Sequence, residues 1–285
     1  MAYSIDGLTW TTATNHNDDW SSNIQTITLV SGITAKFWRL IQSADTNGYK
    51  NGSAWFIDSF SMVGTSGGTD LYATNVSLLL TGNGTNGSTA ITDLSASPKS
   101  ITSSATIDTT TKKYGTGSIR TSPTGSKYAL ITNTTAMDLS GDFTIECWAY
   151  MVSQQSYGGI FSLGVAGNAS SYGPFVLTVN STSITTYIST STAITSSVAM
   201  SLNAWTHLAV TMKGTTYTLW VNGVNTASTT YAGARGIPYT TSTLGLWYSG
   251  TDNYYFDGNI DDFRITKGIA RYTANFTPPT TPLTL

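Results

Sequence analysis

Between Phe143 and Met151 every second residue is apolar: Phe143, Ile145, Cys147, Ala149 and Met151 fall on one side of an extended chain, Glu146, Trp148 and Tyr150 on the other. This two-residue period predicts a strand covered in part on both faces. Residues 205–212 and 217–221 form a predicted hairpin, and Asn222-Gly223 suits a two-residue type I′ turn into the next strand. Asn83-Gly84, Asn86-Gly87, Ser140-Gly141-Asp142, Lys213-Gly214 and Asp257-Gly258 punctuate the chain from residue 76 onward in the rhythm of an antiparallel sandwich of jelly-roll type. Runs of Ala, Leu, Glu and Lys at helical spacing are missing, so the predicted class is all-β.

Residues 24–30, 35–42 and 54–63 alternate in the same way, and Asp6-Gly7 marks a tight reversal, so the first 64 residues read as a small β unit. Clustered Gly and Ser from Gly64 to Asp70 cost too much ordering entropy to sit inside a strand. The predicted organisation is therefore a β unit at 1–64, a Gly/Ser/Thr linker at 65–75 and a jelly roll at 76–285. Pro278, Pro279 and Pro282 cannot join a central ladder, which predicts an extended tail over the surface.

Composition narrows the function. Ser and Thr make up about thirty per cent of the 285 residues, while 10% are charged, with 13 Lys+Arg against 15 Asp+Glu. A net charge of -2 offers no footprint for a phosphate backbone, so nucleic acid is not an expected partner. Glu146 is the sole Glu, which removes most paired-carboxylate mechanisms. Cys147 has no partner for an intrachain disulfide and reads as a small buried hydrophobe. The opening MAYSIDGLTW has neither a basic segment nor an apolar run, and no stretch reaches membrane-spanning length. The expectation is a protein made in a host cytoplasm without a signal peptide, with no membrane insertion, and assembled onto a particle surface.

Six ordered segments carry a family resemblance: Ser77-Leu78-Leu79-Leu80, Lys113-Tyr114-Gly115-Thr116-Gly117-Ser118, Gly141-Asp142-Phe143-Thr144-Ile145-Glu146-Cys147-Trp148, Trp205-Thr206-His207-Leu208-Ala209, Leu219-Trp220-Val221-Asn222-Gly223 and Gly258-Asn259-Ile260-Asp261-Asp262-Phe263-Arg264-Ile265. In order and spacing they resemble a laminin-G-like domain of the concanavalin A-like jelly-roll superfamily, in the form common in tailed bacteriophage virion proteins. Residues 1–64 are more weakly similar to half of a discoidin-type, galactose-binding-like domain, through Tyr3 to Trp10 and Phe37-Trp38-Arg39-Leu40-Ile41. That half domain implies either a minimal β unit or a sheet completed by another virion protein, which would make it a docking element. The resemblance further implies a non-enzymatic tail or neck fibre, or a surface decoration, that attaches to host-surface glycan. By analogy it implies a homo-oligomer, a trimer. A structural cement without a ligand is the competing reading, and a glycan-degrading depolymerase the third.

The resemblance also implies a structural calcium. Hard oxygen ligands suit it, and Asp252, Asp257, Asp261 and Asp262 are the densest carboxylate group. Asp261 is the preferred ligand, with Asp142 or Asp93 and loop carbonyls alongside. The alternative is that Asp262 pairs with Arg264 or a Lys and the other acids cap turns. As neighbours on a strand, Asp261 and Asp262 are expected to point to opposite faces. For carbohydrate, an exposed aromatic plane ringed by polar groups is needed, and Trp247, Tyr248, Asp252, Asn253, Tyr254 and Tyr255 offer one. Tyr157 and Tyr172 are a second choice. Trp148, Trp205 and Trp220 are assigned to the core, and His207 to a satisfied strand position. His16, near Asp18 and Asp19, is a weaker metal candidate.

Overall fold

The structure is a computed structural model that describes residues 2–4, 11–12, 37–39, 70–164, 175–188, 192–233, 240–249 and 251–285. The chain divides into two compact units, residues 1–68 and 69–285. In the first, β1 (Ala2–Ser4), β2 (Thr11–Thr12) and β3 (Phe37–Arg39) form an antiparallel sheet in the order β2-β1-β3. The strands expected at 24–30 and 54–63, the Asp6-Gly7 reversal and His16 lie outside the described residues, as does the linker up to residue 69.

The second unit contains β4 (Val76–Leu80), β5 (Ile101–Ser103), β6 (Thr106–Asp108), β7 (Ser118–Thr121), β8 (Ala129–Thr132), β9 (Phe143–Met151), β10 (Gly158–Leu163) and β11 (Phe175–Val179). It continues with β12 (Ile184–Tyr187), β13 (Ala193–Ser196), β14 (Trp205–Lys213), β15 (Thr216–Val221), β16 (Val224–Thr230), β17 (Thr241–Leu244), β18 (Leu246–Tyr248), β19 (Asn253–Tyr255) and β20 (Gly258–Lys267). An eight-stranded sheet runs β16-β15-β14-β9-β20-β7-β6 with β4 beside β20, and a nine-stranded sheet runs β13-β12-β11-β10-β17-β8-β5 with β18 and β19 attached beside β10. The two sheets form the expected antiparallel sandwich. Among the described residues, helix is confined to single 3-10 turns, Ala73–Asn75 and Thr135–Met137.

The inner faces hold the core. Phe143, Ile145, Cys147, Ala149 and Met151 of β9 join Leu208, Val210 and Met212 of β14 and Leu219 of β15, and meet Phe161, Leu163, Phe175 and Leu177 across the gap. Phe161 and Phe263 bridge the two sheets with centroids 4.8 Å apart. Asn222 and Gly223 take φ of 50° and 79°, the left-handed pair that the β15–β16 turn requires. Burial raises the Cys147 thiol far above its ordinary range, so it is an inert core group.

The outer face of the eight-stranded sheet is unusual in being polar and yet buried. The tail beyond β20 lies across it: Phe276 packs edge-on against His207 and Trp220, at 5.7 and 5.8 Å, and stacks on Tyr272. Trp148 and Trp220 are buried, as the sequence suggests, but on this outer face rather than between the sheets: Phe276 of the tail packs on Trp220, while Tyr114 stands edge-on to Trp148 and the Lys113 ammonium lies over its ring at 3.9 Å. Trp205 is only half-buried and leans on Tyr150. Under the tail, Glu146 Oε1 accepts from Arg264 Nε at 3.0 Å and Nη2 at 2.6 Å, while Oε2 accepts from the Tyr272 hydroxyl at 2.6 Å. Arg264 Nη1 and both terminal nitrogens of Arg271 donate to Asp70, which tethers the entry to the unit. Burial would raise the Glu146 carboxyl, but the Arg264 guanidinium and the His207 and Tyr272 hydrogen bonds overcome it and hold the acid well below its usual range. Glu146→Gln leaves two guanidiniums, Arg264 and Arg271, sharing the single Asp70 carboxylate in a dry site. It is expected to cost about 3–5 kcal/mol in urea unfolding followed by tryptophan fluorescence; a loss under about 1 kcal/mol would contradict this account.

Candidate functional site

Two places bring chemistry-bearing residues together. The first is a bulge in β20. Asp261 is the register partner of Trp148 and Arg264 that of Glu146, so three steps on β20 match two on β9, and one residue is extra. That residue is Asp262, with φ of 48°. Its left-handed backbone, which Asp tolerates better than most residues, keeps its carboxylate out of the core and restores Phe263 to the inner face. Both acids thus sit on the outer side under the tail rather than on opposite faces. Asp261 Oδ2 accepts from the backbone N–H of Lys113 and Tyr114, at 2.9 and 3.1 Å, and Asp262 Oδ2 from that of Leu283 at 2.9 Å. Asp262 does not pair with Arg264, whose guanidinium is committed to Glu146 and Asp70.

The calcium ligands proposed from sequence do not converge. Asp93 accepts from the N–H groups of Leu79, Ser95 and Lys99, and forms a buried ion pair with Lys99 at 3.6 Å. Asp142 caps the β14–β15 turn through Gly214 N–H, and Asp261 holds the Lys113-Tyr114 segment. Among the described residues no three His, Cys, Asp or Glu side chains are grouped to hold a metal ion. Asp257 is occupied by Arg120 at 2.7 Å. His207 lies between Glu146, 3.4 Å from Nε2, and the Trp148 ring, with no partner for Nδ1.

The second place is on the nine-stranded sheet. In the β18–β19 hairpin, Trp247 and Tyr254 are register partners and their rings stack at 4.9 Å. Tyr187, at the end of β12, lies parallel to Trp247 at 5.9 Å, and Tyr157, just before β10, stands edge-on to Trp247 and Tyr254 at 5.9 and 5.4 Å. Gly159 makes this possible, since a Cβ there would run into the backbone of Trp247 and Leu246. Trp247 is only 4% exposed and is the floor of the cluster rather than its accessible plane; Tyr157, at 41%, is the ring that faces water. The turn beside it holds Asp252 and Asn253 on the surface, with Asp252 Oδ2 accepting from Thr251 Oγ1 and Asp252 N–H donating to Ser249 Oγ. Tyr255 belongs elsewhere: it follows Tyr254 on the strand, points to the other side and meets Tyr128 at 6.1 Å. Tyr248 is half-buried on β18, and Tyr172 lies outside the described residues. Sequence reasoning ranked Tyr157 second and passed over Tyr187, because the β10 and β12 positions that face the hairpin follow from strand order alone.

A family model described as the concanavalin A-like lectin/glucanases superfamily matches residues 123–270, just over half of the chain. The chain belongs to this superfamily. Within it, the superfamily segment includes the Tyr157–Tyr187–Trp247–Tyr254 cluster and the β20 bulge. No curated protein matches the chain. Among solved structures it is similar to the binding domain of Paraclostridial Mosquitocidal Protein 1, with 16% identity, a TM-score of 0.54, and coverage of 69% of this chain and 49% of that one. A structure titled for the dependence of botulinum neurotoxin type C cell entry on two ganglioside molecules gives 15%, 0.52, 70% and 49%. The binding domain of botulinum neurotoxin DC in complex with rat synaptotagmin II gives 13%, 0.52, 70% and 50%. At these identities the likeness shows a shared fold, and the chain spans about half the length of each. No helix among the described residues is long and apolar enough to cross a membrane.

Two predictions follow from this geometry. Gly159→Ala is expected to displace Trp247 and to lower the unfolding midpoint, by an amount typical of forced overpacking, about 1–3 kcal/mol or more; an unchanged midpoint with native near-ultraviolet dichroism would refute the packing described. Burial raises Asp261 from 3.8 to about 6 and Asp262 to about 7, against the pull of their backbone hydrogen bonds. Between the ordinary carboxyl range and those values the folded chain holds protons that the unfolded chain releases, so stability falls as pH rises through that window. Glu146, Asp70 and Asp108 are lowered, and their contribution is lost on acidification instead. Urea midpoints should therefore peak in mild acid, decline towards about pH 7 and then level off, with Asp262→Asn removing part of the decline; midpoints that rise steadily up to pH 7 would contradict the assignment.

Proposed function

We propose that the protein is a non-enzymatic recognition module whose Tyr157–Tyr187–Trp247–Tyr254 face binds host-surface glycan. One observation carries the reading: an aromatic cluster with a buried floor and an exposed rim, beside a surface carboxylate and amide, on a sheet rather than on long unsupported loops. Tyrosine and tryptophan faces cover the C–H side of a pyranose, and Asp252 and Asn253 supply acceptors and a donor for its hydroxyls. The ganglioside named in one neighbour's title and the receptor in another support binding as what this fold is used for. The lone Glu supports a role without catalysis. Glu146 is buried in ion pairs on the opposite sheet, where it has neither a partner acid nor access to a glycosidic bond.

The resemblance to tailed-phage virion proteins supports a place on a particle surface, as a fibre or decoration, with residues 1–64 docking to other virion proteins. A trimer or other homo-oligomer would strengthen weak sugar sites through multivalency. The full chain should bind a subset of a glycan array, and Tyr157→Ala and Tyr254→Ala should each weaken that binding by about tenfold or more with the fold retained. An array silent for the wild-type chain would favour the cement reading instead. Turnover of any glycan would overturn the non-enzymatic assignment.

A further inference from the structure

The charged residues on the strands of this unit all lie on one of its two sheets. Strands β4, β6, β7, β9, β14 and β20 belong to the eight-stranded sheet, which carries Asp108, Arg120, Glu146, His207, Lys213, Asp261, Asp262, Arg264 and Lys267. The nine strands of the other sheet carry no Asp, Glu, Lys, Arg or His at all. Across the segments that build the aromatic cluster, residues 152–164, 175–188 and 240–256, one formal charge stands, Asp252, and it is exposed. Arg120, on β7 of the other sheet, is held by Asp257. Arg235 lies outside the described residues.

An anionic sugar needs a cation or an array of N–H donors to offset the loss of its hydration. Among the described residues, the segments that build this face carry no cation. The negative π-faces of Tyr157 and Tyr254 and the Asp252 carboxylate add repulsion at the place where a bound ring would lie. Ser, Thr and Asn groups, by contrast, match the hydroxyls of a neutral ring.

We infer that the site selects uncharged saccharides and discriminates against those bearing sialic acid, uronic acid, sulfate or phosphate. This rests on the glycan-binding reading above and adds the charge class of the ligand. The test measures the full chain, at low and physiological salt, against matched oligosaccharide pairs that differ only by an anionic group. Neutral members should bind about tenfold or more tightly than their anionic counterparts. The gap should narrow on adding salt and with Asp252→Asn, and persist with Arg235→Ala. Equal or tighter binding of the anionic members would overturn the inference while leaving the glycan reading intact, and its loss in Arg235→Ala would identify the cation responsible. No binding to either set would overturn both.

Discussion

The Glu146 carboxylate, buried with its charge intact, is the constraint on which the rest of this unit depends. A lone acid in a dry site is costly unless its lone pairs are filled. Here Arg264 fills one oxygen from the adjacent strand, and Tyr272 reaches the other from the tail. Arg264 in turn reaches Asp70, which also takes both terminal nitrogens of Arg271. Two carboxylates and two guanidiniums balance, and the chain's entry, its two central strands and its tail are tied at one point. The tail can then cover His207 and Trp220, beside Trp148 under Tyr114 and Lys113, a face that would otherwise expose a large apolar patch.

This arrangement separates the work of the two sheets. The eight-stranded sheet spends its polar outer face on internal hydrogen bonds and leaves little of it to a ligand. The nine-stranded sheet has no charges to pair, and its aromatic hairpin is supported by packing: Trp247 lies over Gly159 and between Tyr187 and Tyr254. A rigid floor with an exposed Tyr157 rim loses little entropy on binding, which suits ligands whose individual contacts are weak.

Much of the fold was legible because strand periodicity and turn chemistry are local. The alternation of β9 and the Asn222-Gly223 turn are written in consecutive residues, and the structure has both. Non-local features were not legible. Trp148 alternates on the polar side of β9, yet only the path of the Lys113-Tyr114 segment shows what buries it. The Asp261-Asp262 pair reads as a strand with opposed side chains until the register with β9 reveals the extra residue. Asp93, Asp142 and Asp261 look available as metal ligands because nothing in sequence tells that each accepts backbone N–H groups in a separate place, Asp93 from Leu79, Ser95 and Lys99, Asp142 from Gly214 and Asp261 from Lys113 and Tyr114. Of the aromatic site, Trp247 and Tyr254 were found as near neighbours in sequence; Tyr187 was not, because β12 reaches them only through sheet order.

The most direct test of the account is a crystal structure of the full chain with the neutral glycan that binds it best. Sugar density stacked on Tyr157 and Tyr254, with hydroxyls at Asp252 or Asn253 and the tail still closed over His207 and Trp220, is the predicted result. Density on the eight-stranded sheet with the tail displaced, or at a site without these rings, would contradict it.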